Sequence, residues 1–280
     1  MKTEIITIDG LRIRYAASSK QHKENLLFLS PLPESVFAFN PMWEGLSSQF
    51  NLLAIDLPGF GKSEARKDLF SVKTMADFVV KIIDHFKFEM PHIVGNDIGT
   101  PIALFVAALY PQKLKSIIAG GGACVYPLNI DGALKQIIEA PNLDDFRKIP
   151  VKDIIDGSLS GMKHYVLPDE IREDYISSYE GGKLFESMEI LRAYKTDIPV
   201  LDKYINKISI PVLIIWGEKD PIAPVINAEI LHERLPKNKL IILEDIGHYT
   251  WEDGWERFQA ATSSWLNVDY KEYMIPEISN

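Results

Sequence analysis

Gly95, Asp97 and Gly99 set a potential nucleophile between two small residues, in the stretch Val94-Gly95-Asn96-Asp97-Ile98-Gly99. That pattern suits a sharp strand-to-helix turn that lifts its central side chain above a sheet edge. A Cβ branch at 95 or 99 would collide with the neighbouring strand or helix. The commoner form of this turn carries serine, which needs a base before it can attack. Aspartate in water ionises at about pH 3.9 and needs none. The helix N-terminus that follows favours an anion. The chemistry this suggests begins with a carboxylate attacking a carbon and forming an ester. Asp and Gly are also common in ordinary turns, so the pattern takes its weight from the elements around it.

Those elements alternate. Met90–Val94 reads as a short buried strand and Pro101–Leu109 as a helix. Ile5–Thr7 and Leu11–Tyr15 alternate around Asp9-Gly10 as a hairpin. Asn25–Ser30, Asn51–Asp56, Lys115–Gly120, Pro211–Gly217 and Lys239–Leu243 are apolar runs typical of strands buried on both faces. Met42–Leu46, Ser71–Phe86, Val225–Arg234 and Glu252–Leu266 read as helices; Met75, Phe78, Val79, Ile82, Ile83 and Phe86 share one face. The expected class is α/β, a mostly parallel central sheet flanked by helices. The alternation breaks from 126 to 207, where helical patterns occur with no convincing strand. The reading is a core of residues 1–125 and 208–280, and a helical lid over 126–207 inserted after the sixth strand. Such sheets bind ligands beyond the C-terminal edge of their strands, and a lid there would cover the site.

The 280 residues are 46% hydrophobic and 25% charged, which is ordinary globular composition. A net charge of -9 repels phosphate backbones and argues against nucleic acid as a partner. The single cysteine, Cys124, can form neither an internal disulfide nor a cysteine metal cluster. No run approaches the ~20 apolar residues of a membrane span, and the first ten residues carry no apolar leader segment. The expectation is a cytoplasmic monomer or homodimer that acts on a small molecule away from the membrane, with no metal or organic cofactor.

Two further stretches follow buried strands: Trp216-Gly217-Glu218-Lys219-Asp220-Pro221 and Glu244-Asp245-Ile246-Gly247-His248-Tyr249. With the Asp97 turn they stand in the order nucleophile, acid, histidine. In this the chain resembles the α/β-hydrolase fold, in the branch holding epoxide hydrolases and haloalkane or haloacetate dehalogenases. The resemblance covers nearly the whole chain and is weakest over the lid. It implies Asp97 as nucleophile, Asp220 as the acid that orients the histidine, and His248 as the base. Asp220 by itself is equally a helix-capping turn residue, and Glu218 is a nearby competitor that fits the spacing less well. The family's His-Gly-x-Pro loop is here Ser30-Pro31-Leu32-Pro33, a departure at the first two positions. By analogy, the backbone N–H groups of Leu32 and Ile98 form the oxyanion hole; Pro31 has no N–H to give. Asp56–Ser63 ends like a phosphate-binding loop but lacks its first glycine, and instead matches a structural loop of the same fold.

The leaving group separates the candidates. An epoxide needs an acid for its opening oxygen, and relatives use lid tyrosines; here Tyr165, Tyr175, Tyr179 and Tyr194 lie in that segment. Leu191 stands where the resemblance expects the second tyrosine, with Tyr194 about one helical turn on. Dehalogenases place Trp or Arg directly after the nucleophile, and this chain has Ile98. Leu32, Ile98, Phe37 and Trp43 suggest a mainly apolar substrate. The expected function is therefore a hydrolase forming a covalent alkyl ester on Asp97, with epoxide hydrolysis foremost. A haloalkane or haloacid dehalogenase is the alternative. A non-covalent lyase or cyclase, or a ligand-binding member of the fold, is the alternative of another class.

Overall fold

A computed structural model describes residues 1–19 and 22–273, except the side chain at 269. The remainder of the expected core, 274–280, lies outside the described residues. Eight strands are present: β1 (Glu4–Ile8), β2 (Leu11–Ala17), β3 (Asn25–Leu29), β4 (Asn51–Ile55), β5 (His92–Asn96), β6 (Ser116–Gly120), β7 (Val212–Gly217) and β8 (Asn238–Leu243). They form one sheet in the order β1-β2-β4-β3-β5-β6-β7-β8. The hairpin of β1 and β2 turns at Asp9 and Gly10, with φ of 49° and 81°, as a tight two-residue connection requires. β2 pairs antiparallel with β4, and every pairing from β4 through to β8 is parallel. Every residue of β4, β5, β6 and β7 is buried, because helices cover both faces of the sheet.

The covering helices are α1 (Asn40–Ser47), α2 (Val72–Phe86), α3 (Gly99–Leu109), α9 (Ile226–Arg234) and α10 (Trp255–Ser264). Ser71 caps α2, its hydroxyl accepting from the Thr74 amide, and the α2 face expected from the sequence packs into the core. Several boundaries differ from expectation. β5 runs two residues further because its ladder with β6 continues to Asn96 opposite Gly120. α3 starts at Gly99 rather than Pro101. The last helix starts at Trp255 rather than Glu252, because Glu252 and Asp253 are held in a turn whose amides both donate to Tyr249 O; it ends at Ser264 and passes into a π-helical turn, Trp265–Asp269.

Between β6 and β7 lie α4 (Gly132–Glu139), α5 (Val151–Leu159), α6 (Asp169–Ser178), α7 (Lys183–Arg192) and α8 (Tyr194–Leu201), with no strand among the described residues. Buried polar contacts tie this insertion to the rest. The Arg14 guanidinium binds Asp56 through Nε and Asp174 on α6 through both terminal nitrogens, at 2.7 and 2.9 Å. Ser35 Oγ donates to Asp174 Oδ2 at 2.9 Å. Lys183 Nζ on α7 donates to the carbonyls of Gly61 and Ser63. Asp56 also accepts from the amides of Val36 and Lys62, so the centre of the Asp56–Ser63 loop is filled by its own carboxylate. No helix among the described residues is long and apolar enough to cross a membrane.

Candidate active site

The turn after β5 carries Asp97 at φ 51°, a left-handed conformation that a side chain accepts only when its surroundings enforce it. Here the Asp97 amide donates to Gly120 O at 2.8 Å, and Asp97 O accepts from the Thr100 amide at 3.0 Å. A Cβ at Gly95 would run into the Gly99 carbonyl, and one at Gly99 would come within 3.3 Å of Leu29 Cβ. These contacts explain the two small residues of the motif. They leave the carboxylate at the N-terminus of α3, almost buried but facing a cavity.

The loop after β3 approaches the same carboxylate. Leu32 N donates to Asp97 Oδ2 at 3.0 Å, and the Leu32–Pro33 bond is cis. Ser30 holds this loop from beneath, its hydroxyl accepting from the Leu57 amide at 3.1 Å. Ile98 is the first residue after Asp97 and the N-cap of α3.

His248 follows β8. Its Nδ1 lies 2.9 Å from Asp220 Oδ2 and its Nε2 3.7 Å from Asp97 Oδ1. Asp220 is aimed by its own turn: Oδ1 accepts from the amides of Ile222 and Ala223 at 2.8 and 2.9 Å. Glu218 is exposed and takes the Asp245 amide instead, so Asp220 is the carboxylate that meets the ring. Tyr249 and Trp251 pack edge-on against the imidazole, with centroids 5.2 and 5.5 Å away. Burial alone would push the His248 pKa down. The Asp220 and Asp97 charges outweigh it and raise it to about 10. That rise favours the imidazolium form of His248 at neutral pH.

The cavity above Asp97 and His248 has a volume of about 580 Å³. Leu134 and Ile137 on α4, Leu184, Met188 and Leu191 on α7, and Ile222 supply much of its apolar wall. Tyr249 also lines it, with its hydroxyl 2.5 Å from Ser158 Oγ on α5. The wall is thus built by the insertion and the core together. The helical spacing of Leu184, Met188 and Leu191 marked an apolar face, and Tyr249 is adjacent to His248, yet neither signal told which cavity they would line.

The six side chains expected to touch substrate are placed otherwise, and none lines this cavity. Tyr175 OH donates to Glu252 Oε1 at 2.9 Å. Tyr179 OH donates to Glu34 O at 2.7 Å and accepts from the Gly61 amide. Tyr165 is half-buried, and Asp253 Oδ1 accepts its backbone amide at 3.0 Å. Phe37 packs under the Arg14 guanidinium and Trp43 against Phe28. The physical reason is that buried hydroxyls and rings were claimed by partners distant in sequence. Tyr194 is the exception in part: it is buried, its hydroxyl has no hydrogen-bond partner among the described residues, and the Asp97 charge helps burial to push its pKa well up. Asp97 and Tyr194 therefore lie within electrostatic range of each other. Among the described residues no three His, Cys, Asp or Glu side chains converge to hold a metal ion.

A family model described as alpha/beta hydrolase fold matches residues 24–148 and 193–254. The uncharacterized hydrolase YugF of Bacillus subtilis is 25% identical over 259 residues, covering 88% of this chain and 91% of that one. A 2-hydroxy-6-oxononadienedioate/2-hydroxy-6-oxononatrienedioate hydrolase of Paraburkholderia phymatum is 26% identical over 220 residues, covering 75% and 74%. Among solved structures, the epoxide hydrolase VrEH1 from Vigna radiata superposes with a TM-score of 0.80 at 16% identity, over 95% of this chain and 97% of that one.

Proposed function

We propose that this chain, which belongs to the alpha/beta hydrolase fold family, is a hydrolase that forms a covalent ester on Asp97 and opens epoxides of mainly apolar compounds. The observation that carries the reading is the alignment of Asp97, His248 and Asp220, with Leu32 N already on Asp97 Oδ2. The relatives named as hydrolases and the likeness in fold to an epoxide hydrolase support it.

In this mechanism Asp97 Oδ1 attacks an epoxide carbon, and the carbon–oxygen bond of the ring breaks. Tyr194 protonates the opening oxygen and is itself reprotonated from His248 through solvent. The ester removes the negative charge that helped to keep His248 protonated, so the imidazole becomes available as a base. It takes a proton from water, whose hydroxide adds to the ester carbonyl. The Leu32 and Ile98 amides hold the oxyanion on the former Oδ2. Collapse expels the alkoxide, which takes the proton of the new Asp97 carboxylic acid and leaves as the diol. Asp97 thus returns to a carboxylate while the proton taken from water stays on His248. The ion pair that began the cycle is restored.

The alternatives fit less well. Neither Leu32 nor Ile98 offers a side-chain donor for a halide, and Trp251 Nε1 is taken by Glu34 at 2.9 Å. A non-covalent lyase needs a neutral base in the resting enzyme, and His248 is raised to about 10.

The test is mass spectrometry of the His248→Gln variant after exposure to a panel of apolar epoxides and halogenated alkanes. The expected result is an epoxide-sized mass increase on the peptide containing Asp97, stalled for want of a base. Epoxide turnover by the wild type, with no adduct on that peptide in the variant, would overturn the covalent step.

A further inference from the structure

Glu34 and Glu252 are both fully buried, and their carboxyl groups lie within hydrogen-bond reach of each other. Each has one oxygen already engaged: Trp251 Nε1 donates to Glu34 Oε1 at 2.9 Å, and Tyr175 OH donates to Glu252 Oε1 at 2.9 Å. The other oxygens, Glu34 Oε2 and Glu252 Oε2, have no donor from the protein. None of the side chains bonded to the pair carries a positive charge. Two carboxylates without a counter-cation in a buried site repel and are poorly solvated, whereas one shared proton satisfies both free oxygens at once. The two residues sit at telling places. Glu34 ends the loop that presents the Leu32 amide, and Glu252 ends the turn that begins at His248.

We propose that Glu34 and Glu252 share a single proton, and that this acid–carboxylate pair is a positioning device locking the oxyanion loop to the histidine loop. Its catalytic consequence rests on the function proposed above; the shared proton itself does not. Burial pushes both groups up, Glu34 well above the ordinary carboxylate range and Glu252 to about 7, with Asp97 adding to the shift of Glu34 and Asp253 to that of Glu252. The other titratable groups coupled to the pair are Tyr165 ahead of α6, Tyr175 and Tyr179 on and after it, and Tyr249 beside His248. All are acids; the Trp251 and Tyr175 hydrogen bonds favour the ionised forms, and burial outweighs them. When the shared proton leaves, the two loops repel and the distance between the Leu32 amide and His248 is no longer held.

The sign follows from linkage. A carboxyl whose folded pKa is raised binds its proton more tightly in the native state. Its contribution to stability is complete below the unfolded value of about 4.3 and is lost as pH rises through the folded value. The pair should therefore make the wild type less stable above neutral pH than a variant with a permanent donor. Glu252→Gln is that variant, since its amide N–H can replace the shared proton on Glu34.

The experiment is an infrared titration of the full-length protein without substrate, with thermal unfolding on the same samples. A protonated-carboxyl band that survives at neutral pH, shifts in D2O and is absent from the Glu34→Gln/Glu252→Gln double variant is expected. So is a melting temperature that falls between about pH 4 and 7 in the wild type by more than in Glu252→Gln. Absence of the band at neutral pH, or identical melting profiles, would overturn the pair. On an epoxide that the wild type turns over, Glu252→Leu should lower kcat by about 100-fold with little change in KM, and Glu252→Gln should recover it and remove the alkaline decline. Wild-type kcat in Glu252→Leu would overturn the positioning role. The infrared and melting measurements need no reaction, so their outcome stands apart from that of the ester-trapping test.

Discussion

The Leu32 amide is hydrogen-bonded at 3.0 Å to Asp97 Oδ2, while His248 Nε2 faces the other oxygen, Oδ1, at 3.7 Å. The two oxygens of one carboxylate are therefore inequivalent before any substrate arrives. Oδ2 is held by a fixed dipole; in the mechanism proposed above it becomes the ester carbonyl oxygen and then the oxyanion, while Oδ1 attacks. The donor is in place before charge develops, so no reorganisation is needed at the moment of reaction.

Removing the Asp97 charge should change His248 measurably. In Asp97→Asn, Asp220 still favours the imidazolium but one of the two anions is gone, so the imidazole pKa should fall from about 10. Histidine NMR titration reads this directly, and an unchanged value would separate the two side chains electrically. The same coupling sets a stability trend. The raised folded pKa means that the imidazolium stabilises the fold fully below the unfolded value of about 6.5, and the contribution is lost as pH rises through 10. Wild-type unfolding free energy should decline over that window by more than it does in Asp97→Asn.

Asp220→Asn should leave the fold intact and cripple turnover. The amide can still receive the Ile222 and Ala223 amides on its oxygen, but it no longer presents an anion to His248 Nδ1. Loss of imidazole orientation and charge balance costs about 10³–10⁴ in kcat where such a triad operates. Stopped-flow separation of ester formation from ester hydrolysis should place most of the loss in the second step.

Tyr194→Phe removes one hydroxyl from a buried ring without a cavity. If Tyr194 protonates the opening epoxide, kcat should drop by about 10²–10⁴. Ester formation should slow, and hydrolysis of an ester already formed should not. Activity equal to wild type would pass the acid role to Tyr249, the tyrosine that lines the cavity.

The specificity of the cavity can be tested from its wall. Ile137→Trp on α4 adds bulk inside the 580 Å³ space. KM for long apolar substrates should rise by about tenfold or more, in proportion to the apolar area no longer buried, while small substrates are spared. Equal effects on both would put substrate elsewhere.

Arg14→Met should destabilise the protein by about 3–5 kcal/mol, because Asp56 would remain buried without its paired cation and Asp174 would keep only Lys62. Differential scanning calorimetry reads the loss. Because Asp174 lies on α6, local hydrogen exchange should rise first in α6 if this contact anchors the insertion.

Much of the site was legible in the residues alone. Gly95 and Gly99 bracket Asp97 for a steric reason that is local, and alternating apolar strands and amphipathic helices state the layer architecture through their periods. The places of Asp220 after the buried strand β7 and of His248 after β8 followed from the same alternation, although β8 proves to be a half-buried edge strand, because the ends of neighbouring parallel strands converge on one sheet edge. What the tertiary structure decided was which polar groups meet. Four tyrosines between β6 and β7 were candidates, and folding gave the Tyr175 hydroxyl to Glu252, the Tyr179 hydroxyl to the Glu34 carbonyl and the Tyr165 amide to Asp253, leaving Tyr194 within electrostatic range of Asp97. Glu34 and Glu252 carried no sequence sign of each other, since one follows β3 and the other follows β8. A period of two or 3.6 residues encodes which face is buried. It does not encode the partner across that face, which is set by packing between segments far apart in the chain.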